Sequence, residues 1–504
     1  MKKLFYISAL TLFFSFFISC KKDKVITTPG AKLTFSQDSV LFDTVFTSIG
    51  STTKLFRVHN PNNGNVNISS IRLARGNASY YRLNVDGVAG KSFSNIEIDA
   101  KDSLYIFVEV TIDPTNQNNP FIYRDSILFD LNGSEQHFDL IAFGQNAYYH
   151  MPKLVTSSGL EFDTLHVPVN GTDTWLNDKP HLIYGYVVVD STQKLIIPQN
   201  THIYVHNGGG IWVYRGGSIQ INGTHGNEVT FQGDRLEQEY KDVPGQWDRI
   251  WINEGGTGNL INYAIIKNAF IGVHAGVGAF DGVGNTIYSG LAANLTLNNT
   301  IIQNCSYAGI LGHDYNITGG DNVVVNCGQH ILEFDYGGSY SFYQCTFANY
   351  WNQTNNSQAS NARTTPSFLF NNYYNGSTQN AFDSLYFGNC ILDGSMAEEF
   401  QFDTLSQSGG FAHPYLFDHC LLKTQLFQPN GAHTSVSIIN NPPGSNNPPS
   451  FVDPSTYNFK LNSNSAAIDG GSTSASGGYA NDINGTLFST NNSNGQPDIG
   501  AYAH

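Results

Sequence analysis

The chain has 504 residues, a formal net charge of −15, and only 13 % charged residues against 13 % aromatic. That excess of acid excludes a nucleic-acid partner and direct attraction to anionic lipid, and abundant Gly, Asn, Ser and Thr is turn chemistry rather than helix chemistry. The length exceeds one ordinary core, so two or three domains are expected.

Residues 1–19, MKKLFYISALTLFFSFFIS, carry two lysines and then an uncharged run from Leu4 to Ser19. The run is short for a membrane span and suits the apolar part of a secretory signal peptide. It ends in Phe17-Ile18-Ser19-Cys20, which resembles the lipobox of bacterial lipoproteins, with Phe17 where leucine is usual. The resemblance implies acylation of Cys20 and a lipidated polar tether over residues 20–32; an ordinary signal peptide with a stray cysteine is the plainer alternative. Each buried CH₂ contributes about 0.8 kcal/mol, so several acyl chains on one cysteine hold a protein firmly at a membrane. The expected location is the outer membrane, lipid-anchored, facing the periplasm or the cell exterior. Lys21 stands where an aspartate would signal retention at the inner membrane.

Over residues 33–148 apolar and polar residues alternate in short runs such as KLTF, KLFRVHN, SLYIFVEVTI and HFDLIAF, separated by NPNNGN and DPTNQNNP. This pattern predicts a β-sandwich. Its order, with Asn60 and Gly144, resembles the Ig-like domain of abnormal-spindle and hydin proteins, where the domain is a spacer or binding module.

From about His181 short β runs follow one another with Gly and Asn between them: THIYVHNGG, GIWVYRGGSIQING, NEVTFQG, RIWINEGG. The rhythm predicts a coil turning three corners per rung. It resembles the right-handed parallel β-helix of the pectate-lyase-like superfamily, and GDRLEQEYKDVPGQWDRIWI (233–252) is similar to β-helix lipoproteins of Gram-negative bacteria. Residues 149–440 are assigned to this solenoid.

Asn-Cys recurs within it, in IIQNCSYAGI, VVVNCGQHIL and YFGNC. Cys305, Cys327 and Cys345 are 22 and 18 residues apart, single-rung lengths, and Cys390 and Cys420 follow after insertions. One column of inward small residues stacked at the strand spacing is expected, with Ala269 one place earlier. The preceding Asn would form an outer ladder, bonding from rung to rung. Zinc would need paired spacing such as C-x₂-C, which is absent. Disulfides between neighbouring rungs stay open, although five cysteines beyond Cys20 leave an odd one.

In residues 441–504, FVDP, SAAIDGG, NDING and DIGAYAH resemble a C-terminal segment common on exported β-helix proteins, with Ala503 replacing the usual Glu. The resemblance implies a cap over the last rung, which would otherwise expose an open edge. The fold class expected is thus all-β: an N-terminal Ig-like β-sandwich, a right-handed parallel β-helix and a C-terminal capping segment.

Aligning Cys305 with Cys327 pairs Ile310 with Leu332, Leu311 with Glu333, Gly312 with Phe334 and His313 with Asp335. Glu333 and Asp335 then point outward beside His313, with His274 near the same column a rung earlier. Carboxylates two apart on a strand sit about 6–7 Å from each other, which suits an inverting hydrolase or a calcium site, with histidine as base. A solvated outer face is the plainer reading. The run from Asp234 to Asp242 reads as an internally paired surface loop, or as a calcium- or sugar-binding loop with Trp247, Trp251 and Tyr240 as stacking platforms. A lyase base opposite calcium-binding carboxylates, a P-loop, a nucleophile elbow and H-E-x-x-H are not found. The reading is a monomeric, membrane-anchored lipoprotein binding glycan or another macromolecule along its lateral β face, with calcium the one cofactor considered. A polysaccharide lyase or glycoside hydrolase working in the groove, an adhesin, and a structural surface protein are the alternatives.

Overall fold

The computed structural model describes residues 24–114, 120–277, 291–353, 363–374, 377–378, 382–403, 415–440, 447–488 and 495–504. The proposed signal peptide and Cys20 lie outside the described residues. The chain divides into two compact units after Asn146.

The first unit is a sandwich of two five-stranded sheets. Its strands alternate as the sequence does: Ser103–Val110 buries Leu104, Ile106, Val108 and Val110 and turns the residues between them outward. Phe56 and Phe138 stack in the core with centroids 3.9 Å apart. Asn60 is fully buried and its amide donates to the carbonyls of Gly64, Ile98 and Asp99, so it ties the turns together with its polar group satisfied. A Cβ on Gly144 would lie 2.5 Å from the Phe121 ring, which is why that position carries glycine.

The second unit is a parallel β-helix. Apart from the antiparallel pair Leu154–Val155 and Glu161–Thr164 at its start, the strands of the large sheets form three stacked faces that pair in parallel from rung to rung. The first face runs through Tyr186–Val189, Gly210–Val213, Ile250–Ile252 and Ile271–Ala275, then the start of Ala308–Gly320 and of His330–Tyr343, then Phe368–Asn371 and Phe400–Asp403. The ends of the two long strands continue into the second face after a bulge near His313 and Tyr315. The third face is an eleven-stranded ladder from Tyr148–His150 to Ile438–Ile439. Ile211, Ile250, Val273, Ile310, Leu332 and Phe368 fill the interior one above another, each at most 1 % exposed. Each such burial contributes about 1.5–3 kcal/mol. Rungs differ in length because insertions leave at the corners: Ile211 pairs with Ile250, but Ile310 pairs with Leu332.

The cysteines are packing, as expected, but they form two columns instead of one. Ile265, Ile301 and Val323 are in register, which stacks Ala269, Cys305 and Cys327 at the corner leaving the third face. Thr346, Ile391 and Leu421 are in register too, which stacks Cys345, Cys390 and Cys420 at the corner entering that face. All five thiols are free and fully buried. Both corners use one device. The residue before each column member has a left-handed backbone: Asn268, Asn304 and Asn326 (φ 62°, 58° and 52°) at one corner, Gln344, Asn389 and His419 (φ 51°) at the other. Asn adopts that conformation at low cost, and the next residue must be small to fit inside the bend. The repeated Asn-Cys is therefore corner chemistry.

The outward amides do less rung-to-rung bonding than expected. Asn304 does donate to Asn268 at 2.8 Å. Asn326, Gln344 and Asn389 instead donate to the carbonyls of Pro454, Asp498 and Ser472, all in the C-terminal segment. That segment caps a flank of the solenoid, not merely its last rung. Phe451, Phe459, Leu461, Ala467, Ile499 and Ala501 pack on the outward residues Val323, Val325, Ala348, Ile391 and Leu421 of the third face. Tyr479 reaches farther back and donates to Asn298 at 2.7 Å. An outward face rich in Val, Ile and Leu needs such a cover.

Candidate functional site

Outward side chains of the first face form two columns. In one, Trp212, Trp251, His274, Leu311, Glu333, Leu369 and Gln401 follow each other rung by rung. Beside it stands His313 over Asp335. The pairing expected for residues 310–313 with residues 332–335 is the observed register. His274 belongs to the Glu333 column, two rungs earlier, and its ring meets that of His313 edge-on with centroids 4.9 Å apart.

The site is drier than a solvated face. His274, Glu333 and Asp335 are 6 %, 8 % and 9 % exposed. Arg249 donates to His274 Nδ1 at 3.0 Å and is held by Asp248. Tyr336 stacks on the other side of His313 at 5.1 Å, and Tyr307 lies close enough to Glu333 to feel its charge. Burial pushes the Asp335 carboxyl up to about 8, helped by the charge of Glu333 and a hydrogen bond with it. Burial also pulls His313 down to about 4, with Arg249 adding to the effect, and lowers His274 well below the ordinary imidazole value. At pH 7 Asp335 thus keeps its proton and both rings are neutral, so the 3.6 Å contact between His313 Nδ1 and Asp335 Oδ2 is not an ion pair. His274 Nε2, His313 Nδ1 and Glu333 Oε2 are buried with no hydrogen-bond partner. Three polar atoms left open in one dry patch are costly for folding alone.

Several expectations change here. Asp335 is buried and keeps its proton beside Glu333, so the pair is not the two solvated carboxylates expected on an open outer face. A protonated Asp335 is a poor calcium ligand, and among the described residues no group of three or more His, Cys, Asp or Glu is placed to hold a metal ion. Trp247 is 1 % exposed and donates its indole N–H to Lys267 O. It is core, because the corner it occupies turns inward. Trp251 is sandwiched between Trp212 and His274 at 5.1 and 5.3 Å, with interplanar angles of 11° and 9°, so both its faces are taken. Tyr240 carries the Arg235 guanidinium 3.8 Å above its ring. Trp247 and Trp251 thus offer no free ring face as expected for a sugar platform, and Tyr240 has one face occupied. Arg249, Tyr307 and Tyr336 join the site unforeseen. Arg249 follows a long insertion that hides its register, and Tyr307 and Tyr336 sit at bends where strand alternation gives no direction.

The proton held by Asp335 makes a pH prediction. Unfolded, Asp335 ionises near the ordinary value of 3.8; folded, it keeps its proton to about 8. Between those values the folded state binds more protons, so this group's contribution to stability falls as pH rises. Denaturant titrations at pH 5 and pH 9 are expected to show a smaller loss of stability in Asp335→Asn than in the parent. Equal losses would refute a proton held by Asp335.

No family model matches the chain, and no curated protein does. Among solved structures, it is similar to the ASH/PapD-like domain of human CEP192 (PapD-like domain 7) at 10 % identity, over 26 % of this chain and 96 % of that one, with a TM-score of 0.17. It is similar to a family 123 glycoside hydrolase from Clostridium perfringens at 12 % identity, over 28 % of this chain and 26 % of that one, also with a TM-score of 0.17. The likeness thus spans about a quarter of the hydrolase.

Proposed function

We propose that this is an exported, lipid-anchored β-helix protein of the pectate-lyase-like kind that binds a polysaccharide along the first face of its solenoid. The observation that carries the reading is the trio of buried, unpartnered polar atoms on His274, His313 and Glu333. A hydroxyl-rich chain offers both donors and acceptors to such a patch, and convergent polar groups with perturbed protonation mark a binding site. Recognition then rests on hydrogen bonds and not on ring stacking. The acyl anchor at Cys20 would keep the protein at the membrane.

A glycan array probed with the soluble form starting at Lys21 tests it. The parent is expected to retain at least one polysaccharide, and Glu333→Ala to weaken it about tenfold to a hundredfold, the 1–3 kcal/mol of hydrogen bonds lost. No retained glycan, or equal retention by the variant, would overturn the reading. A second reading has its own support: a neutral imidazole beside a protonated carboxyl is a base next to an acid, as β-elimination from a uronic acid requires. Unsaturated product released by the parent, and not by Glu333→Gln/Asp335→Asn, would favour a lyase over a binding protein.

A further inference from the structure

The insertion at residues 233–246 folds back over the third face and encloses a polar cavity of about 120 Å³, lined by Gln232, Arg235, Gln238, Lys241 and Lys267 among others. We infer that this cavity is an oxyanion site, taking a sulfate or phosphate group as the free ion or as an ester on a polymer. The insertion carries four acids, Asp234, Glu237, Glu239 and Asp242, and none of them lines the cavity. Asp234 binds His206 at 2.7 Å, and Glu237 takes Arg235 through both carboxylate oxygens. What faces the cavity is cationic. Lys267 stands on strand Ala264–Lys267, beneath the loop, and among the described residues its ammonium has no hydrogen-bond or ion-pair partner. Lys241 lies across from it on the loop, and the Arg235 guanidinium is held flat over Tyr240. Burial of the Lys267 ammonium disfavours its charge, with Asp242 and Lys241 acting on it through space. A bound anion removes that cost.

The walls are fixed in advance. Gln246 donates to the carbonyls of Tyr240 and Val243 at 2.7 and 2.8 Å. Asn268 donates to Lys241 O at 2.9 Å and Asn304 to Asp242 O at 2.8 Å. The corner asparagines thus hold the loop open at the height of the lysines, a preorganised arrangement that lowers the entropic cost of capturing a ligand. In a protein with 40 acidic and 25 basic residues, a cavity whose charged lining is Lys241, Lys267 and the Glu237-paired Arg235, with Asp242 acting on Lys267 from outside that lining, is an exception to the surrounding field.

Calorimetric titration of the full-length protein with sodium sulfate and sodium phosphate, at ionic strength held constant with chloride, tests the inference. A parallel arm compares dextran sulfate with dextran. Saturable binding of the free ions, weakened at least tenfold in Lys267→Met and several-fold in the exposed Lys241→Ala, supports a free-ion site. Binding of dextran sulfate alone, weakened by the same variants, supports an ester-carrying polymer. No binding in either arm overturns the site, and so does binding that Lys241→Ala and a folded Lys267→Met both leave unchanged. Because Glu333 is untouched, this outcome is separate from that of the glycan array.

Discussion

Replacing Glu399 by glutamine is expected to destabilise the solenoid by about 3–5 kcal/mol, the cost of stranding a buried charge. Glu399 and Arg363 meet at 2.7 Å with both side chains fully buried. The carboxylate also accepts from Met396 N at 2.7 Å, Ser367 N at 3.1 Å and Ser367 Oγ at 2.7 Å. It joins the segment before Phe368–Asn371 to the start of Phe400–Asp403, two successive rungs of the first face. Glutamine keeps the shape, loses the charge and turns a donor toward one of these donors. The guanidinium is then left to the carbonyls of Thr365 and Asn349. Urea unfolding of Glu399→Gln checks the size of the loss. The double variant Glu399→Gln/Arg363→Met should recover much of it, since removing both charges is cheaper than removing one. A single-variant loss below about 1 kcal/mol would show that the pair is not isolated from water.

Asp482→Ala is expected to release the C-terminal segment from the flank. Asp482 is 2 % exposed and accepts from the backbone N–H of Asn484, Thr486 and Ala503 at 3.0, 2.6 and 3.1 Å. It thereby closes the D-I-N-G turn and fastens the turn to the last residues of the segment. Alanine leaves three backbone donors without their acceptor, each costing about 1–3 kcal/mol where water cannot replace it. The solenoid core has its own interior, so the loss falls mainly on the segment. Limited proteolysis should cut between residues 447 and 488 much faster in the variant, and a dye sensitive to apolar surface should bind the uncovered Val323, Ile391 and Leu421. Unchanged cleavage and dye binding would mean that the apolar contacts alone hold the segment.

The legible parts of this molecule are those where a rung passes without interruption. Residues 308–313 and 330–335 could be paired from sequence because 22 residues separate Ile310 from Leu332 and nothing is inserted between them. The cysteines misled for a related reason. Cys345 follows Cys327 by a distance close to a rung, yet it lies at the opposite corner, because both corners ask for a left-handed residue followed by a small one. Sequence cannot tell two bends with the same requirement apart. Alternation located Glu333 and Asp335 on the outside but said nothing of what overlies them, so a patch read as solvated is nearly dry. Trp247 failed in the opposite sense: one residue at a corner decides between interior and surface, and period-2 reasoning stops where the strand does. The motifs of the C-terminal segment were visible, but the surface they cover was not. That surface is set by Val323, Ala348 and Ile391, far off in the chain, and no local pattern marks them as its partner.

The way this segment is fastened bears on how the chain can be made. Asn326 waits 128 residues for Pro454, Gln344 154 for Asp498, and Asn298 181 for Tyr479. Coils can wind on one another as they emerge, each finding its template in the coil just formed. The flank has no such neighbour in time. From the moment its aliphatic stripe is complete until translation has delivered the final stretch, the nascent protein carries a long greasy ribbon that is open to the wrong company. A holding chaperone, or slow delivery, is what this topology demands of the cell that produces it.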